Sequence, residues 1–520
     1  MKNKMVKVWQ KGKVIVFLPF YLFTFLLLSC GPQLPEDYAS SDRQPDIYPD
    51  YKGVTVPVNM APLTFEMSHE AEQMVARLTA DGEELLYEGK KIQPGQDDWQ
   101  RLVARAAGKS IGVEVYACHE GQWTKYQPFD IYVSKDSIDA YLSYRLIYPS
   151  YVSYEELTIS QRCLENYDES VIYDNILCSE EGNGQCINCH HYQQYNPDRM
   201  QFHARQNLGG TVIAYDGKMK KVNMKNDSIL SAGVYPAWHP WLNLIVYSTN
   251  LTAQIFQLTN PNKIEVFDAE SDLIAYDVER NEVTNLENDK TELEVFPCWA
   301  PDGKSLYYCS AHFEYTDSTD HGAQVIRKRE EVKYNLYRKS FDPETMTFGE
   351  RELVFDAAAQ GMSATLPRVS PDGRWLLFTM GKYGVFHIWH RDADLWVMDL
   401  NEELKMKNEE SAAARPLSEI NSPDTESYHS WSSNGRWLVF SSRRNDGEYT
   451  RPFFAHIDQD GKWSKPFELP SADPDFHRQF MKCYNIPEFM RGPVTIRPQR
   501  FADVLKGDGD PVKYVRKLTK

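Results

Sequence analysis

Cys186-Ile187-Asn188-Cys189-His190 is the run whose residue types and spacing could do the most specific chemistry in this chain. Two thiols three residues apart, followed at once by an imidazole, form the C-x-x-C-H pattern of covalent c-type haem attachment. Each thiol can add to one vinyl group of a haem, and His190 then offers a ring nitrogen to the iron. Two other uses suit the residues less well. A structural zinc needs four ligands; His191 or Cys178 could be recruited, but no second C-x-x-C or H-x-x-x-H accompanies the run. A redox dithiol of the thioredoxin kind opens a helix behind a strand. Here Glu180-Glu181-Gly182-Asn183-Gly184-Gln185 comes first, which is loop chemistry. The sequence therefore predicts one haem c on Cys186, Cys189 and His190. For the sixth position His203 is favoured and Met200 comes next, because both follow at a distance that lets the chain fold over the ring. His191, adjacent to His190, points elsewhere. Arg145, Arg162 and Arg205 are candidates to face the propionates. One haem moves one electron at a time, which suits relay, redox sensing or docking better than multi-electron reduction.

The chain's address agrees with that chemistry. Lys2, Lys4, Lys7, Lys11 and Lys13 precede an apolar stretch from Val14 to Leu28. That stretch is shorter than the ~20 residues of a membrane span, and its layout is that of a secretory signal. Its end, Leu27-Leu28-Ser29-Cys30, resembles the bacterial lipobox, which implies cleavage before Cys30 and acylation of that cysteine. The expectation is a signal peptide over 1–29, a Pro-, Ser- and Asp-rich tether over 30–50, and a lipid anchor holding the protein on the outer membrane, facing the periplasm.

The formal charge is −17, from 57 basic and 74 acidic residues. Such a chain repels phosphate backbones, so nucleic acid is excluded as a partner. Beyond Cys30 and the two haem thiols lie Cys118, Cys163, Cys178, Cys298, Cys309 and Cys483. Cys298 and Cys309 flank one turn, where either a cross-strand disulfide or two buried thiols can be accommodated.

A repeat organises the second half. Val234-Tyr-Pro-Ala-Trp-His-Pro, Val295-Phe-Pro-Cys-Trp-Ala-Pro, Thr365-Leu-Pro-Arg-Val-Ser-Pro and Ser427-Tyr-His-Ser-Trp-Ser-Ser are spaced by 61, 70 and 62 residues. Each is followed by a tight turn, Pro-Asp-Gly or Asn-Gly in three of them, and an alternating apolar strand. Units of this length with about four strands each indicate a β-propeller. The pattern resembles the PD40 or TolB-like propeller family over 206–475. Four blades are plain, and strands at Thr211–Tyr215 and Arg451–His456 raise the expected number to six. Upstream, short strands over 51–135 predict an immunoglobulin-like β-sandwich, crossed by a helix near Trp99. Segment 136–205 reads as a connector with helices over 137–145 and 155–167 and the haem run, and 476–520 as a C-terminal extension. The fold class is thus mainly β. The whole resembles bacterial lipoproteins with a sandwich, a C-x-x-C-H segment and a TolB-like propeller, on Asn59-Met-Ala-Pro-Leu-Thr-Phe65, Tyr144-Arg145 and Phe202-His203-Ala-Arg205.

Trp238, His239, Trp299, Trp431 and His429 fall at matching blade positions and read as blade packing. A hydrolase domain is excluded, since only about 50 residues follow the last blade. His312, His321, His387 and His390 match no ligand spacing. The sequence implies a membrane-tethered cytochrome-like relay whose propeller docks a redox or assembly protein. The alternatives are a protein- or glycan-binding propeller with a structural haem, and a propeller enzyme.

Overall fold

Period-two alternation dominates the chain, and strands dominate the computed structural model, which describes residues 31–149, 154–179, 185–403 and 414–519. The expected signal peptide and Cys30 lie outside the described residues. The sandwich is present, as a seven-stranded sheet and a small three-stranded one. Two short strands, Ala39–Ser40 and Ile47–Tyr48, come from within the expected tether. Helix Gln96–Ala106 packs into the same core through Trp99, Leu102, Val103 and Ala106, a one-sided apolar stripe, with Asp97 and Asp98 in its first turn.

Six blades of four principal antiparallel strands make the propeller, the second and third joined through Ser271 and Leu293 into one sheet. Their inner strands are Ile187–Tyr192 (blade 1), Gly233–Trp238 (blade 2), Glu292–Trp299 (blade 3), Ser363–Val369 (blade 4), Glu426–Trp431 (blade 5) and Cys483–Met490 (blade 6). Separate apolar cores join successive blades. The one in which Ile159, Ile172 and Met490 meet Phe202 and Val212 joins blade 6 to blade 1 and closes the ring. Blade 5 and the inner strand of blade 6 also share a core with the sandwich.

Every inner strand carries a bulge. Register slips after Asn188, Val234, Val295, Thr365 and Ser427, and between Ser143 and Arg145 on the partner of the sixth. The bulged residues Cys189, Tyr235, Phe296, Leu366, Tyr428 and Ile486 all have φ between 47° and 56°. Six non-glycine residues in the left-handed region at one repeat position mark a built feature, one that re-aims the following side chains.

Three expectations change here. The 136–205 connector is propeller: Tyr141–Ile147, Thr158–Cys163 and Glu169–Asp174 are the outer strands of blade 6, and the haem run is the inner strand of blade 1. The helices expected over 137–145 and 155–167 are therefore mainly strand, because Leu142, Tyr144 and Leu146 alternate at period two and find a partner strand far along the chain. The C-terminal extension supplies the inner strand of blade 6, so the ring is zipped between N- and C-terminal segments. After it, helix Pro498–Lys506 sets Phe501 against Phe202, and the tail adds short strands to the outer edges of blades 1 and 2. Cys298 pairs with Tyr307 and Cys309 with Val295, so these two cysteines are not opposite each other and both are free.

The second hairpin of blade 2, Leu244–Phe256 with Ile264–Asp277, is about twice the usual strand length. Its far half leaves the blade and reaches across one face of the ring. There Glu265 meets Tyr383 and His390 of blade 4, and Lys263 meets Glu448 near blade 5.

Candidate functional site

The bulges stack three tiers of side chains around the central channel. The bulged residues form an apolar tier. The next positions are prolines, except for His190 in blade 1 and His429 in blade 5. The third tier is polar apart from Ala237: His191, Ala237, Cys298, Arg368, Ser430 and Glu488. A cavity of about 30 Å³ lies among the upper tiers, lined by Cys189, His190, Tyr235, His429 and Arg368. A wider recess of about 170 Å³ opens below it, away from the long hairpin, with His191, Arg368 and Glu488 among its lining and Tyr195, Trp238, Trp299 and Trp431 as walls.

His190 is 2 % exposed, and burial pushes its imidazole down to about 4. Its Nε2 has no hydrogen-bond partner among the described residues. Burial raises the Cys189 thiol, and the charges of Arg205 and Arg145 offset only part of that, so the group is a protonated thiol. Cys186 is half-buried. One blade-wall over, Glu488 Oε1 lies 3.0 Å from His191 Nδ1. Burial would raise the Glu488 carboxyl, but His191, His190 and Arg368 outweigh it and leave it below the ordinary range, a carboxylate. Burial holds His429 at about 3, helped by the charge of Arg368.

The other expected haem residues are dispersed. Met200 is fully buried in the core between blades 6 and 1. His203, held near 3 by burial, lies on the opposite face of the same strand, with Nδ1 3.1 Å from Thr211 Oγ1. Neither lines the cavity beside His190. Arg145, which donates to the Ile187 carbonyl at 3.0 Å, and Arg205 do come near Cys189, but Arg162 turns away to the Pro470 carbonyl.

The donor chemistry of this segment suits a haem iron, through a buried neutral imidazole with an unpartnered nitrogen. The space does not. About 30 Å³ holds two or three waters. A macrocycle has no room between His190 and the opposite blades, so as folded the residues do not fit a haem.

Trp299 and Trp431 donate from Nε1 to the carbonyls of Ala237 and Arg368 in the preceding blades, and His239 bonds the Gly303 carbonyl, so these three staple blade to blade. His429 instead lines the channel. His312, His321 and His390 pair with separate carboxylates and His387 with Thr365. Among the described residues no group of three His, Cys, Asp or Glu is placed to hold a metal ion. The polar tier escaped the sequence reading, although a signal existed. Asn188-Cys-His-His-Tyr192 and Asn485-Ile-Pro-Glu-Phe489 align under the other four repeats, with Pro or His third and, except for Val369 in blade 4, an aromatic residue fifth.

No protein-family model matches the chain. No curated protein matches it either. Among solved structures it is similar to prolyl oligopeptidase B from Galerina marginata, at 9 % identity and a TM-score of 0.34 over 65 % of this chain and 52 % of that one. It is similar to a prolyl endopeptidase at 10 % identity and 0.30, over 64 % and 42 %. A DUF4784 family protein from Bacteroides caccae is matched at 9 % and 0.28, over 82 % and 97 %. The chain thus spans about half or less of the oligopeptidases it matches. Likeness at these scores carries no argument about activity, and the six-bladed ring is read from its strand pairing.

Proposed function

We propose that this protein is a binding module. In this reading a lipid on Cys30 holds it to the outer membrane on the periplasmic side, and the propeller takes a protein or glycan partner at the channel mouth opposite the long hairpin. The observation that carries the reading is the polar tier of His191, Arg368 and Glu488 beneath a recess walled by aromatic residues and prolines. Recesses with few polar groups amid apolar walls are the usual form of recognition sites. Trp241, 53 % exposed beside the turn at Gly303, provides a probe on the rim of that mouth. A photoreactive residue at Trp241 should capture a partner in intact cells, and one at the outer-strand residue Leu353 should not. Equal capture from both, or none from either, would overturn the reading.

A second reading, electron relay by a haem c on Cys186, Cys189 and His190, retains one favourable observation, the unpartnered Nε2 of His190. Its test is an optical spectrum of protein made with c-type maturation. A haem band that survives acid–acetone extraction and is lost in Cys186→Ala would support it, and no covalent haem would end it.

A further inference from the structure

Within the polar tier, two opposite charges face one recess without touching each other. Among the described residues no carboxylate lies within ion-pair distance of Arg368, which donates to its neighbour's carbonyl, Pro367 O, at 3.0 Å and also lies in hydrogen-bond contact with the Cys298 thiol. A guanidinium has five N–H donors in a rigid fork, so most of this one is unused. Glu488 gives one oxygen to His191 and, among the described residues, has no hydrogen-bond partner for the other, although the residue is 8 % exposed. Arg368 stands on blade 4 and Glu488 on blade 6, and the walls between them include Pro236 and Pro297, which bring no competing charge.

We propose that this recess binds a compact zwitterion, its carboxylate on Arg368 and its ammonium on Glu488. The inference rests on the reading of the open mouth as the binding face and names the ligand class for it. A carboxylate matches the guanidinium fork in a bidentate pair, and an ammonium fills the vacant oxygen of Glu488. A ligand with only a negative charge would meet the carboxylate of Glu488, and one with only a positive charge would meet Arg368. Only a molecule carrying both signs leaves no like-charge contact. About 170 Å³ is small for a ligand pocket, which limits the ligand to a free α-amino acid or the compact end of a short peptide.

Calorimetry on the mature full-length chain tests this with four probes: L-alanine, dialanine, N-acetyl-L-alanine and L-alanine amide. At least one zwitterion should bind, and whether alanine or dialanine binds tighter separates a free amino acid from a peptide. The acetylated and amidated probes should each bind about tenfold or more weakly, the usual effect of losing one charged hydrogen-bonded contact. Arg368→Gln should abolish the difference between alanine and its amide, and Glu488→Gln that between alanine and its N-acetyl form. The proposal falls if N-acetylalanine or the amide binds as tightly as the tighter of the two zwitterions, or if neither zwitterion gives heat at millimolar concentration. The ranking of the four probes on the unmutated chain decides even where a variant fails to fold. Capture from Trp241 does not depend on these probes, so a macromolecular partner can stand when the zwitterion site falls.

Discussion

Single buried groups set how this protein responds to pH. Burial pushes His190 and His239 to about 4, and His203, His387 and His429 to about 3. An unfolded histidine titrates near about 6.5, so between these values the unfolded chain binds more protons than the folded one. Stability therefore falls as pH drops below about 6.5, by up to ~1.4 kcal/mol per pH unit for each such group. His203→Gln should make the slope of unfolding free energy between pH 6 and 4 shallower by about one proton, read from urea titrations at several pH values. An unchanged slope would mean that His203 is not buried as a neutral ring. Glu294 acts in the opposite direction. Burial, aided by Glu287 and Asp272, lifts its carboxyl to about 9, and neither oxygen has a partner among the described residues. The folded chain holds that proton more tightly than the unfolded one, so its contribution is present below about 4.5 and lost as pH rises toward 9. Glu294→Gln should raise Tm at pH 8 and leave it nearly unchanged at pH 4.5, as calorimetric scans would show.

At the scale of the element, closure is the step that most needs its tail. Helix Pro498–Lys506 buries Phe501, Ala502 and Leu505 where blades 6 and 1 meet, and the Leu505 carbonyl accepts from Lys221 Nζ at 2.9 Å. Phe501→Ala should cost about 3–5 kcal/mol, the usual range for a buried aromatic truncation, as a shift of the denaturation midpoint without a change in final signal. A loss within the range of surface substitutions would show that the helix is not part of the ring's core. The same region shows what the sequence could and could not tell. Four blades were legible because an aromatic or apolar strand recurs at a nearly regular period, followed in three of the four by a Pro-Asp-Gly or Asn-Gly turn. Blades 1 and 6 were not. In blade 1 the repeat's proline is replaced by His190 and its turn by a longer Gln193-Gln-Tyr-Asn-Pro-Asp198 loop. Blade 6 is assembled from strands more than 300 residues apart, Tyr141–Ile147 with Cys483–Met490, and no local pattern records such a pairing. The C-x-x-C-H run itself was legible as a motif, whereas its place on a channel wall required knowing that it is also a repeat.

Across the whole molecule the two faces of the ring are unequal, and that asymmetry decides which groups solvent reaches. One face is crossed by the blade 2 hairpin, fastened at its far end by Glu265, which is 2 % exposed and takes His390 Nε2 at 3.0 Å and the Tyr383 hydroxyl at 2.9 Å. The base of the hairpin, Asn250 and Thr252, shares a groove with Tyr235, and Tyr235 lines the channel beside Cys189. The opposite face is the open recess. Removing the carboxylate that these two groups share leaves buried donors unpaired and costs about 1–3 kcal/mol locally. Glu265→Ala should therefore free the far half of the hairpin while the blades, held by their own cores, stay closed. Timed maleimide labelling followed by mass spectrometry reads this out. In the unmutated chain the half-buried Cys186 should react first, and Cys189, buried and with its thiol raised, should react only on the timescale of unfolding. In Glu265→Ala, Cys189 should join the fast class while Cys309, buried between blades 3 and 4, does not. If Cys189 and Cys309 speed up together, the hairpin is a structural brace whose loss opens the ring. If neither does, the hairpin does not gate the channel, and access to the Cys189-His190 tier runs through the open recess alone.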